Sequence, residues 1–76
     1  MVRAYVLTEM AAGHSRELVN TLKGRDGIRN VDRVTGPYDI IAELEAEDID
    51  AWSELVTGEI HTITGVVRTI TCVCLS

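Results

Sequence analysis

The residues with the most chemistry to offer lie in one short stretch, Val34-Thr35-Gly36-Pro37-Tyr38-Asp39. Gly36 and Pro37 punctuate the chain between two apolar, β-branched segments, which marks a turn joining two strands. Two readings of that turn are open. In one it is a hairpin turn only: Pro37 fixes one φ, Gly36 frees another, and Asp39 accepts from local N–H groups. In the other, exposed loop amides and the Asp39 carboxylate present a small polar pocket. Amides hold a carboxylate and Asp39 holds an ammonium, which suits an amino acid, with Tyr38 as an aromatic wall. A second polar run, Arg68-Thr69-Ile70-Thr71, lies in the last apolar segment after Gly65. Thr69 and Thr71 share one strand face. Ordinary β-propensity accounts for them, and so does a role as hydroxyls lining a pocket or a subunit joint. Arg68 points the other way, where it could pair with a carboxylate of another copy.

No other constellation competes. His14 and His61 sit at helix ends and lack metal-ligand spacing. His14, Ser15 and Glu17 crowd one helix start without an oxyanion loop, so they make no triad. Gly24 and Gly27 lack the Lys-Ser/Thr that follows a phosphate loop. Cys72 and Cys74 are two apart in one strand, on one face but too far apart for an easy bridge, and read as buried or interface thiols in a reducing compartment. No metal site and no cofactor is expected.

The chain has 76 residues and a formal net charge of −5, so a single domain spanning 1–76 is expected. A domain this small buries only about 60% of its unfolded surface, and without staples it tends to complete its core in a partner. Seven acids fall from Glu43 to Glu59 with no Lys or Arg among them. The basic residues form no run, so the footprint that nucleic acid requires is missing, and an acidic surface disfavours anionic membranes. No apolar run reaches membrane-spanning length, and residues 1–10 do not resemble a signal peptide. A cytoplasmic protein is expected.

The elements that must position these residues follow from periodicity. Residues 2–10 alternate, with Val2, Ala4, Val6 and Thr8 on one face and Tyr5 and Leu7 on the other. A helix is expected from His14 to Lys23, with Leu18, Val19 and Leu22 as its apolar stripe and Gly24 ending it. A strand follows over Ile28 to Val34; its apolar residues do not alternate strictly, which points to a bulge or a solvated side. A third strand spans Tyr38 to Glu45. A second helix starts after Asp48 as N-cap, and Ile49, Trp52, Val56 and Ile60 form its buried face beside Leu55. Gly58 weakens that stretch by up to about 1 kcal/mol relative to Ala. The last strand runs from Val66 to Leu75.

The order is β-α-β-β-α-β. Right-handed crossovers give an α+β, ferredoxin-like fold: a four-stranded antiparallel sheet in order 4-1-3-2, with two helices on one face. The bare face, carrying Tyr5, Leu7 and Ile41 or the opposite parity, needs a lid, and a second subunit's sheet is the natural one.

These features together resemble the effector-binding (RAM) domain of the Lrp/AsnC family, over nearly the whole chain. The matching pieces are Ala4-Tyr5-Val6-Leu7, Gly27-Ile28, Val34-Thr35-Gly36-Pro37-Tyr38-Asp39-Ile40, Leu55-Val56 before Ile60, and Ile63-Thr64-Gly65-Val66 leading to Arg68-Thr69-Ile70-Thr71-Cys72. The Thr-Gly-x-x-Asp turn followed by the Gly-Val-x-Arg-Thr-x-Thr strand is the specific part. The resemblance implies dimers paired through their sheets, larger rings that are often octamers, and amino-acid effectors bound where dimers meet. Carried over by residue, Gly36, Tyr38 and Asp39 shape the ligand site and Thr69 and Thr71 face it; Pro37 belongs to the same turn, and the sheet parity read above places Tyr5, Leu7, Ile41 and Arg68 at the oligomer interface. Family regulators carry a helix-turn-helix domain before this segment and this chain starts at the first strand. The expectation is therefore a stand-alone effector domain that senses an amino acid or modulates full-length Lrp/AsnC regulators. Two rivals stay open: a structural adaptor without ligand binding, and a small ferredoxin-like dimeric enzyme.

Overall fold

A computed structural model describes residues 1–60 and 63–75, with the backbone alone at position 59. The elements are β1 (Val2–Met10), α1 (Ser15–Leu22), β2 (Ile28–Arg33), β3 (Ile40–Ala46), α2 (Ile49–Leu55) continuing into a π-helical turn (Val56–Ile60), and β4 (Val66–Val73). They build one antiparallel sheet in the order β2-β3-β1-β4. This is the ferredoxin-like topology expected from the element order.

The alternation in β1 separates two surfaces. Ala4, Val6, Thr8 and Met10 are buried. Ala4, Val6 and Met10 join Ile40, Ala42 and Leu44 of β3, Leu18 and Leu22 of α1, and Trp52, Val56 and Ile60 in a single core. Both helices therefore cover the same side of the sheet. Each fully buried leucine of that layer contributes about 1.5–3 kcal/mol of transfer free energy.

Local signals explain the element ends. Asp48 caps α2 as expected, its carboxylate accepting from Ala51 N–H at 2.8 Å. In α1 the helix begins at Ser15 rather than His14, which is the N-cap residue and makes no side-chain cap bond. The irregular apolar spacing of β2 is a register shift against β3 between Ile28 and Asn30. The third strand begins at Ile40, two residues later than its alternation suggests, because Asp39 turns to bond β1 instead. The last strand ends at Val73, although Cys74 N–H still reaches Arg3 O at 2.8 Å.

Ile49 corrects the reading of α2, for it is 51% exposed. It is the first helical residue, and a helical side chain covers the turn N-terminal to its own Cα; at the first position there is no such turn to pack on. Trp52 is a core residue as expected. Among the described residues its Nε1 has no hydrogen-bond partner. His61 lies outside the described residues. No helix among the described residues is long and apolar enough to cross a membrane.

Gly65, the turn residue just before β4, has φ +94, and a Cβ there would lie 2.6 Å from both Cβ and Cγ of His14. The imidazole of His14 thus packs on bare backbone, where Ala11 N–H also donates to Gly65 O at 2.7 Å. This joint fixes the start of α1 to the start of β4.

Candidate functional site

The turn from Val34 to Asp39 is clamped onto β1. Val34 N–H donates to Asp39 O at 2.8 Å, closing the β2–β3 connection, and Asp39 N–H donates to Thr8 O at 2.9 Å. The Asp39 carboxylate accepts from Met10 N–H at 2.8 Å. Met10 is where β1 shifts register against β4, between Glu9 and Met10, so the carboxylate supplies an acceptor at an irregular point of the ladder. Among the described residues the Asp39 carboxylate bonds no local N–H group, unlike a simple hairpin aspartate; it reaches 29 residues back along the chain. Gly36 takes φ +139, a conformation that favours glycine. Among the described residues the amides of Gly36 and Tyr38 make no backbone hydrogen bond.

Arg68 ties the turn to the last strand. Its guanidinium lies 5.5 Å from the centroid of the Tyr38 ring, and its Nη2 lies 3.4 Å from Glu9 Oε1. Glu9 and Arg68 are cross-strand partners in the β1–β4 register. Within the single chain the Arg68 charge is met, loosely, by Glu9. Glu9 is the residue sequence reasoning passed over. It shares the parity of Tyr5 and Leu7, and the strand order alone sets it against the one cation of β4.

The threonines divide from Arg68. Thr69 stands opposite Thr8 and Thr71 opposite Val6, on the helix-bearing side of the sheet. Thr8 also pairs with Ile40, which places Thr69 two strand spacings, about 10 Å, from the end of the turn. Thr71 is one pleat further, roughly 7 Å along the strand. Thr69 is half-buried and Thr71 exposed. The structure brings Tyr38, Arg68 and Glu9 together and leaves Thr71 apart from them.

The face without helices is organised in rows. Ile41, Leu7 and Ile70 lie side by side across three strands, followed by Glu43, Tyr5 and Cys72. Tyr5 and Ile70 are exposed, while Leu7 and Ile41 are half-buried. At one end the charges are already satisfied: Arg29 meets Glu45 at 2.8 Å, Arg3 meets Glu43 at 3.6 Å, and Asn30 donates to Glu43 at 3.1 Å. The bond to Glu45 raises the Arg29 guanidinium above its ordinary value, and a hydrogen bond with the Cys74 side chain does the same for Arg3, aided by Tyr5 and Glu43. Glu9 and Arg68 close the other end. Both cysteines are free, and among the described residues no group of three or more His, Cys, Asp or Glu side chains gathers to hold a metal.

Solved structures share this architecture. FFRP-DM1 is 27% identical, with a TM-score of 0.93 over 99% of this chain and 100% of its own. TTHA0845 from Thermus thermophilus is 29% identical, with a TM-score of 0.93 over 100% of this chain and 95% of its own. The transcriptional regulator NMB0573 from Neisseria meningitidis, solved as a complex with L-Met, is 18% identical; its TM-score is 0.87 over 99% of this chain and 50% of its own, a likeness of fold. No curated protein matches the chain. Residues 3–76 match the Lrp/AsnC ligand binding domain, and the chain belongs to that family, whose role is regulatory ligand binding and not catalysis.

Proposed function

We propose that the chain is an amino-acid-binding, self-assembling regulatory domain, with its ligand site at the Gly36-Pro37-Tyr38-Asp39 turn. The observation that carries this reading is the turn itself. Two bonds from Asp39 hold it on β1, while among the described residues the amides of Gly36 and Tyr38 stay uncommitted. Anchored, unused donors are what a ligand carboxylate needs, because little ordering cost remains at binding. Tyr38 gives the site an aromatic wall, and Thr69 of β4 lies at the same end of the sheet. Thr71 serves the site only where a neighbouring dimer closes it. NMB0573, whose domain shares the fold, was captured with L-Met.

Assembly follows from the helix-free face. Tyr5, Leu7 and Ile41, joined by Ile70, form an apolar band that a second copy's sheet would cover. Arg3, Arg29 and Arg68 beside that band already meet carboxylates of the same chain, so covering it strands none of those cations. Dimers built this way assemble further, with octamers the expected ring, or combine with full-length Lrp/AsnC regulators. A ligand seated between dimers shifts assembly by its differential affinity for the two states, and assembly then tunes ligand affinity reciprocally.

Calorimetric titration with each of the twenty L-amino acids tests the ligand half of this reading. Saturable heat with at least one of them supports it. No heat from any, with the protein folded, would leave a structural adaptor as the better description.

A further inference from the structure

We propose that Arg68 holds the carboxylate of the bound amino acid, with Glu9 as its placeholder while the site is empty. This inference rests on the amino-acid reading above and extends it to a residue that reading does not use.

Three observations converge on Arg68. It is where the turn and the last strand meet, through its contact with Tyr38 at 5.5 Å. The aromatic face steadies the guanidinium plane and leaves its edge N–H groups free to aim at an anion. Its present partner is a weak one. The Glu9 contact is a single approach of 3.4 Å between side chains that are 59% and 39% exposed. Charge-assisted bonds run closer to about 2.8 Å, and the same sheet shows one at 2.8 Å between Arg29 and Glu45. A loose, solvated pair of this kind is readily exchanged for a carboxylate that meets the guanidinium edge with two parallel bonds. Finally, Arg68 borders a surface depression of about 350 Å³ lined by Val66, Val67 and Thr69. This is within the range of small-ligand sites, and its valines offer an apolar contact for a side chain.

Asp39 cannot take this role, since a carboxylate repels a carboxylate and its Oδ2 is held by Met10 N–H. The cationic end of the ligand is left to Asp39, through the carboxylate oxygen other than the Oδ2 that Met10 N–H holds, and the anionic end to Arg68 with the Gly36 and Tyr38 amides.

The test is calorimetric titration of the whole chain with the twenty L-amino acids, then with the carboxamide of the tightest binder. Arg68→Gln should weaken the amino acid by about tenfold or more, and Arg68→Lys should recover only part, lacking the fork. Glu9→Gln should tighten binding, by about threefold, because it removes the competitor for the guanidinium. The carboxamide should bind wild type and Arg68→Gln alike, since each has lost the same bond. Matching unfolding midpoints keep these comparisons about binding, and Glu9→Gln tests the inference with Arg68 intact. Wild-type binding with Arg68→Gln within twofold of it, or weaker binding by Glu9→Gln, would overturn the inference and leave the amino-acid reading standing. Binding of none of the twenty to wild type would overturn both.

Discussion

Replacing Asp39 with alanine should cost far more stability than a surface turn residue warrants. The carboxylate is the acceptor for Met10 N–H at 2.8 Å, in a part-buried position. Without it that amide sits at the β1 register shift with nothing to bond. Stranding a buried donor costs about 1–3 kcal/mol, and the lost bond was charge-assisted. A value of about 2 kcal/mol follows, which for a domain of this size lowers Tm by roughly 8–16 °C. Asp39→Asn keeps an acceptor oxygen and should lose about half as much or less. The assay is thermal and urea unfolding followed by circular dichroism without ligand. Protein concentration must be fixed throughout, because assembly shifts apparent stability. In urea the midpoint should fall while the m-value holds. If Asp39→Ala unfolds within about 0.5 kcal/mol of wild type, the clamp contributes nothing and the reasoning fails. Equal losses for alanine and asparagine would show that the acceptor is not what matters.

Other expectations follow from the same geometry. Gly65→Ala should destabilise by about 2 kcal/mol or more, from the clash with His14 and the φ of +94; pairing it with His14→Ala should recover the steric part only, as read from unfolding midpoints. Asp48→Ala should cost about 1 kcal/mol by removing the α2 cap, with a cost under about 0.3 kcal/mol counting against that role. Cys72 is exposed on the single chain, opposite Tyr5, so thiol labelling should slow at protein concentrations where copies pair through this face. Tyr5→Asp should restore fast labelling, and labelling independent of concentration would move the interface elsewhere.

Local signals carried most of the fold into view from the sequence alone. The parity of β1, the cap at Asp48 and the broken alternation of β2 each depend on neighbours in the chain, and each survives in the folded protein. What periodicity misreads depends on contacts between distant residues. Asp39 looks like a turn residue because its type suits a turn, yet its bond goes to Met10 across the sheet. The exposure of Ile49 comes from its place at a helix start, which spacing cannot register. The candidate site is legible in part: residue types mark the turn and β4, while the contact between Arg68 and Tyr38 depends on pleat parity. Parity puts Arg68 beside Tyr38 and Glu9, and puts Thr69 and Thr71 on the other side.

The central claim is that a small ligand at the turn biases assembly of this chain, and light-scattering mass tests it most directly. The protein should be measured alone and with each of the twenty amino acids at saturating concentration. The account predicts a mass at least double the 8.3 kDa of one chain, changed by at least one amino acid, with that change lost or blunted in Arg68→Gln. A mass that stays at one chain, or an assembly indifferent to every amino acid, would contradict it.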